Sequence, residues 1–337
     1  MKEDSRYILG GAWSEPDYMF YWAESPEPFD RTAANGFRCV KYINEPPASL
    51  LEPRARRFRD YSKEKPISDE AFRVIRSMYA YQHIPLDAAV ISEDSSSEHW
   101  RKQKIVYDAG YGDERITAYL FLPKRAAPPY QTLVFFPGAG TETQKSSEGL
   151  RGLDRFDFLM KSGRALLYPV YKGTYERQAG LGPSEQNREV VGQWIKELGH
   201  SVDYLENRSD IDPQRLAYVG YSMGARLGCI LLAFEDRFQT ALLVAGGFHF
   251  ARKNLEIDEL NFAPRVKTPL LMVNGRYDFI FPVDTSQKPM FRLLGTAEAD
   301  KRHITLGWAH DPFVAREQTI RASLDWLDRY LGPVKME

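Results

Sequence analysis

The sequence predicts an α/β protein: a mostly parallel, doubly wound sheet flanked by helices, with a small N-terminal appendage. Three observations predict it. From about residue 99 onward, short apolar runs alternate with longer stretches of helical period, the order expected when strands and helices take turns along one sheet. Most of those runs are apolar throughout rather than at every second position, as strands covered on both faces must be. The chain has 337 residues, 43% hydrophobic and 27% charged, enough for one large core or two modest ones.

Three zones follow in order. Residues 1–44 are rich in aromatics, Gly and Pro, with little periodicity. Residues 45–98 open on a Pro-rich stretch and read as a linker with one helix, in which Ser68 caps and Phe72, Ile75 and Tyr79 form a stripe. Residues 99–337 carry the alternating pattern. There IVYDA and RITAYLFLP, joined by GYGDE, read as an antiparallel hairpin. QTLVFFPG is a buried strand, RFDFLMKSG a helix ending at Gly163, and ALLYPV the next strand. From Glu185 to Asn207, Val190, Val191, Trp194, Ile195, Leu198, Val202 and Leu205 mark one face of a long helix. RLAYVG, ALLVAGG, PLLMVNG and KRHITL are strands, MGARLGCILLAF is a helix, and a helix from Pro312 to Leu331 closes the chain.

Lys and Arg number 45 against 46 Asp and Glu, a formal net charge of -1. Such a balance gives no field to recruit nucleic acid or an anionic membrane. The densest basic cluster, Arg54 to Arg59, is short and reads as a solvated face. Of the two cysteines, Cys229 falls in a stretch expected to be buried, and no spacing suggests a disulfide framework or a metal site. The sequence shows neither a signal-like N-terminus nor 18 uninterrupted apolar residues. The expectation is a cytoplasmic protein without cofactor or metal, acting on a small molecule, with a homo-oligomer left open.

The chemistry concentrates at Gly220-Tyr221-Ser222-Met223-Gly224, between the strand RLAYV and the helix ARLGCILL. G-x-S-x-G in that setting is a strained turn that lifts the serine above the sheet at a helix N-terminus, with glycines where side chains would strike backbone. The N–H of Met223 then points at a developing oxyanion. A serine hydroxyl needs a base, and in such sheets the acid and then the histidine follow it on later strand ends. Asp278 follows the strand PLLMVN, and His310 follows KRHITL in Gly307-Trp308-Ala309-His310-Asp311-Pro312. Asp284 is the weaker alternative acid, because it follows Pro282 and reads as a helix start. Asp311 reads as a cap for the last helix. His83, His99, His200, His249 and His303 do not fit the order and read as structural or surface residues. A second oxyanion donor is expected from Pro137-Gly138-Ala139-Gly140, with Ala139 favoured and Gly138 the alternative. Tyr171, Tyr175 and Arg177, in the loop after ALLYPV, are candidate pocket residues, as are Phe279 and Trp308 beside the acid and base.

On these motifs, YVGYSMGAR, VNGRYDFIFP and WAHDPF, residues 99–337 resemble the α/β-hydrolase superfamily, particularly its dienelactone-hydrolase-like and acyl-peptidase-like branches. The resemblance implies ester hydrolysis through a covalent acyl-enzyme with no cofactor. Serine rather than cysteine as nucleophile favours simple carboxylesters. Residues 1–44, with a GG-W start and a closing GFRCV, resemble the C-terminal end of a formylglycine-generating domain, as in bacterial kinase-linked multidomain proteins. The cysteines of that family have no counterpart over Ser14–Phe20. The expected function is a serine carboxylesterase acting on small acyl esters. An acyl-peptide hydrolase and a vestigial hydrolase module of a signalling protein are the alternatives.

Overall fold

The structure, a computed structural model, describes residues 58–179 and 186–336, with 41–51 and positions 8–10, 23, 24, 31, 33, 35, 36 and 39 before them. Most of the segment resembling a formylglycine-generating domain therefore lies outside the described residues, as do Arg54 to Arg57 of the basic cluster.

Nine strands form one sheet: β1 (Ala89–Asp94), β2 (Trp100–Asp108), β3 (Arg115–Pro123), β4 (Tyr130–Phe136), β5 (Ala165–Pro169), β6 (Ile211–Tyr221), β7 (Thr240–Val244), β8 (Leu270–Gly275) and β9 (Lys301–Leu306). Their spatial order is β9-β8-β7-β6-β4-β5-β3-β2-β1. From β5 to β9 all pairings are parallel, whereas β1, β2 and β3 join antiparallel at one edge. The β2–β3 hairpin is the one expected, with Val106 opposite Thr117.

Strands β4, β5, β7 and β8 are buried along their whole length, and alternate side chains feed two apolar layers. Leu133 and Phe135 of β4 join Phe156, Leu159, Trp326 and Leu327, while Val134 and Phe136 join Trp194, Leu198 and Ile230. The first layer is closed by helices α2 (Leu153–Lys161) and α6 (Arg316–Leu331), the second by α3 (Arg188–Glu206) and α4 (Met223–Phe234), with α5 (Lys288–Leu293) alongside. Cys229 is fully buried on α4. At about 25 cal/mol per Å² of apolar surface removed from water, this double burial is the main force holding the sheet.

Two boundaries differ from expectation. The sheet begins at Ala89 rather than near 99, because β1 pairs with β2 along its outer edge. The helix α1 (Asp69–Met78) is capped by the Ser68 hydroxyl as expected, but it belongs to the body rather than to a linker. Tyr61, Phe72, Ile75, Tyr79 and Leu86 are all buried in the same core as α3 and α4. Arg59 corrects the reading of a solvated basic face. Its side chain is 6% exposed and pairs with Asp258 at 2.7 Å and with Glu64.

Candidate functional site

Four turns converge at the carboxyl ends of β4, β6, β8 and β9, the edge of a parallel sheet where ligands are ordinarily bound. The turn after β6 holds Ser222 at φ 52°, ψ −106°, a conformation that costs a non-glycine residue on the order of 1–3 kcal/mol. Its surroundings impose it. The Ser222 N–H donates to the Val244 carbonyl at 2.8 Å, the Gly224 N–H donates to Pro137 at 3.1 Å, and the Ser222 carbonyl accepts the Arg226 N–H at 3.0 Å. The flanking glycines are steric necessities. A Cβ on Gly220 would lie 2.5 Å from the Gly224 backbone, and one on Gly224 would lie 2.2 Å from the Phe136 carbonyl.

His310 reaches Ser222 from the turn after β9. Its Nε2 is 2.8 Å from the serine Oγ, and its Nδ1 is 2.9 Å from Asp278 Oδ2. Asp278 is buried, and its second oxygen accepts the N–H groups of Ile280 and Phe281 at 2.8 and 2.9 Å. An ionised carboxylate only accepts, so the Nδ1 must donate to it, which leaves the Nε2 lone pair for the serine proton. The histidine turn seats directly on the end of β8: a Cβ on Gly275 would lie 1.6 Å from the Ala309 carbonyl. In addition, Tyr277 N–H donates to Trp308 and Arg276 N–H to Leu306. Thus Ser222, Asp278 and His310 lie together in one hydrogen-bonded line.

Asp311 accepts the Phe313 N–H, as a cap would, and also pairs with Arg155 of α2 at 2.7 Å. The Arg155 guanidinium lies 5.7 Å from the centre of the Tyr221 ring. Burial works against its charge, but Tyr221 and Asp311 outweigh it and raise its pKa. This brace on the histidine turn was not anticipated, since nothing local in the sequence connects Arg155 with a partner 156 residues away. Asp284 is exposed and pairs with Lys288 at 2.7 Å. Of the other histidines, His303 lies within β9, His200 is buried beside Asp203, and His83 contacts Asp203 from an exposed position.

The turn after β4 crosses close to the serine. A Cβ on Gly138 would lie 3.3 Å from that of Ser222. Ala139 begins the short helical turn Ala139–Thr141, and Met223 is the first residue of α4, whose opening N–H groups lack intrahelical acceptors.

In the loop after β5, where Tyr171, Tyr175 and Arg177 were expected as pocket residues, the three side chains turn inward. Tyr171 is fully buried and stacked on Phe136 at 4.0 Å, and burial pushes its phenol well above the usual range. Tyr175 is buried too, its hydroxyl 2.9 Å from that of Tyr168 and accepting the Arg151 N–H. Arg177 points inward to the buried Glu197 of α3 at 2.6 Å and to Glu114 at 3.0 Å. The cause is Glu197, whose carboxylate at 0% exposure needs a cation and backbone donors, and the loop supplies both. Phe279 and Trp308 are half-buried, with Trp308 packed against the Phe156 layer. Among the described residues, no group of three His, Cys, Asp or Glu could hold a metal ion, and no helix is long and apolar enough to cross a membrane.

Comparison with known proteins now adds to this geometry. Two solved structures superpose on most of the chain. Acetyl xylan esterase 1 from Thermoanaerobacterium sp. JW/SL YS485 does so with a TM-score of 0.63 at 15% identity, covering 79% of this chain and 96% of that one. The acetyl xylan esterase from Paenibacillus sp. R4 gives 0.59 at 17%, covering 80% and 98%. The chain has the α/β-hydrolase fold. Within this hydrolase fold, residues 163–303 match the dienelactone hydrolase family, a span that includes Ser222 and Asp278 and stops short of His310. "Putative hydrolase YtaP" of Bacillus subtilis (strain 168) is 27% identical over 256 residues, 64% of this chain and 85% of that one.

Proposed function

We propose that the chain is a serine carboxylesterase acting on small acyl esters, with Ser222 as nucleophile, His310 as general base and Asp278 fixing the imidazole tautomer. The observation that carries this reading is the unbroken line from Ser222 Oγ through His310 to Asp278, at 2.8 and 2.9 Å. In this mechanism His310 Nε2 takes the serine proton as Oγ attacks the ester carbonyl. The tetrahedral oxyanion is held by the N–H groups of Met223 and Ala139. His310 returns the proton to the departing alkoxide, leaving an acyl-serine. A water deprotonated by the same imidazole then releases the acid and restores the serine. No step calls for a cofactor. The balanced charge of the chain suits a neutral substrate.

Turnover of p-nitrophenyl acetate by the full chain and by Ser222→Ala tests the proposal, with an acyl-length series on the unaltered protein to define the substrate. Loss of several orders of magnitude is expected for the variant. Ordinary turnover by Ser222→Ala would sink the reading.

A further inference from the structure

The mechanism above needs the Ala139 N–H to be aimed, and the peptide that carries it is bonded by Thr141. Ala139 N–H and Gly138 C=O belong to one planar trans peptide unit, so the two bonds point in opposite directions and fixing one fixes the other. The Gly138 carbonyl is held twice by the same residue. It accepts the Thr141 N–H at 3.2 Å and the Thr141 hydroxyl at 2.9 Å. Two donors converging on one carbonyl restrict the rotation of the peptide plane more tightly than the backbone bond alone.

Thr141 is itself held from behind. It is 1% exposed, and its own carbonyl accepts the Tyr175 N–H at 3.0 Å. Tyr175 has a φ of +50°, which directs that N–H, and its loop is anchored two residues later by the Arg177–Glu197 pair. The neighbouring Glu176 carboxylate accepts the N–H and hydroxyl of Ser147 at 2.8 and 2.7 Å, tying down the next stretch of the same loop. The buried loop after β5 thus acts as a buttress for the turn after β4.

We propose that Thr141 is a positioning residue: by holding the Gly138 carbonyl it orients the Ala139 N–H toward the oxyanion, and the loop Tyr171–Arg177 holds Thr141 in turn. This rests on the esterase reading of Ser222 and extends it. The hydroxyl supplies the second of the two bonds, so its removal loosens the peptide plane without deleting the donor.

The test uses the full chain with Thr141→Val, which keeps shape and backbone N–H but lacks the hydroxyl, and Thr141→Ser, which restores it. Thr141→Ala serves as a second hydroxyl-free variant should the valine form misfold. In p-nitrophenyl acetate hydrolysis, kcat should fall by about tenfold or more in the hydroxyl-free forms, short of the hundredfold or more that follows deletion of an oxyanion donor. KM should stay within about twofold, and Thr141→Ser should recover most of kcat. Binding of a trifluoromethyl ketone, whose serine adduct carries an oxyanion, should weaken in parallel with kcat/KM. Unchanged kcat in the hydroxyl-free forms, or an equal loss in Thr141→Ser, overturns the inference. Turnover by Ser222→Ala is a separate outcome that overturns the esterase reading itself.

Discussion

Replacing Asp278 by Asn should silence the protein while leaving it folded, and the reason lies in the two oxygens of that side chain. Oδ1 accepts two backbone N–H groups, from Ile280 and Phe281, and Oδ2 accepts from His310 Nδ1. An amide has only one oxygen. Seated toward the backbone donors, it leaves its NH2 facing Nδ1, so the imidazole must accept there and carry its proton on Nε2. Nε2–H then faces Ser222 Oγ and cannot take the serine proton. The opposite seating restores the productive tautomer but confronts two buried N–H groups with an NH2. At about 1–3 kcal/mol per unsatisfied donor the penalty is roughly 2–6 kcal/mol. At about 1.36 kcal/mol per factor of ten, the productive seating is then populated at roughly one part in thirty to one part in twenty-five thousand. The kcat for p-nitrophenyl acetate should drop by that factor. The thermal midpoint should move by only a few degrees, since both backbone donors keep an acceptor. Asp278→Ala, which orphans them, should be the less stable of the two variants. A loss of less than about tenfold in Asp278→Asn would refute the tautomer argument.

Gly275→Ala should displace the histidine turn, because its Cβ would fall 1.6 Å from the Ala309 carbonyl and 2.3 Å from that of Trp308. A shift of about 1 Å at a reacting group costs on the order of a hundredfold, to be read as kcat on the same ester. His303 predicts an acid-sensitive stability: burial, with Lys288 assisting, lowers its pKa from 6.5 to about 4. Between these values the unfolded chain binds more protons than the folded one. The associated stability is therefore complete above about 6.5 and is lost as pH falls toward about 4, amounting to about 3 kcal/mol. His303→Gln should flatten the fall of the thermal midpoint between pH 6.5 and 4.5, and equal slopes in both proteins would contradict the assignment.

How far the sequence could be read depended on whether the determining contact was local. Ser222, Asp278 and His310 were legible because each sits at the end of an apolar strand, and strand ends are marked by short-range composition. Gly220 and Gly224 were legible for the same reason: the turn between β6 and α4 tolerates no side chain there, and the clash is with backbone a few residues away or on the adjacent strand. The outer strand β1 was missed because every residue of Ala89–Asp94 is exposed, so no apolar alternation marks it. Its place is set by backbone pairing to β2 and by polar side chains across the same seam, Gln103 donating to Glu93 and Lys102 pairing with Asp94. The segment before it was misjudged in the opposite sense. Tyr61 and Leu86 belong to no periodic pattern, and the stripe of Phe72, Ile75 and Tyr79 does not say what it packs against; only partners on α3, α4 and the turns beyond reveal that all five are one core.

In the loop after β5 a buried charge outweighs position at the sheet edge in setting where side chains point. Tyr171, Tyr175 and Arg177 follow a strand at the correct edge, and by that criterion alone they belong to the pocket. What turns them inward is Glu197, twenty residues beyond Arg177 and on the apolar side of α3, fully buried and bonded to the Lys172 N–H. Once that carboxylate is buried, leaving it unpaired would cost several kcal/mol, more than any gain from presenting Arg177 to solvent. The guanidinium therefore goes to the acid, Tyr175 is carried with it, and its N–H meets the Thr141 carbonyl. A buried charge on a distant helix thereby decides which way a loop beside the serine faces, and a sequence read in windows has no means of joining the two.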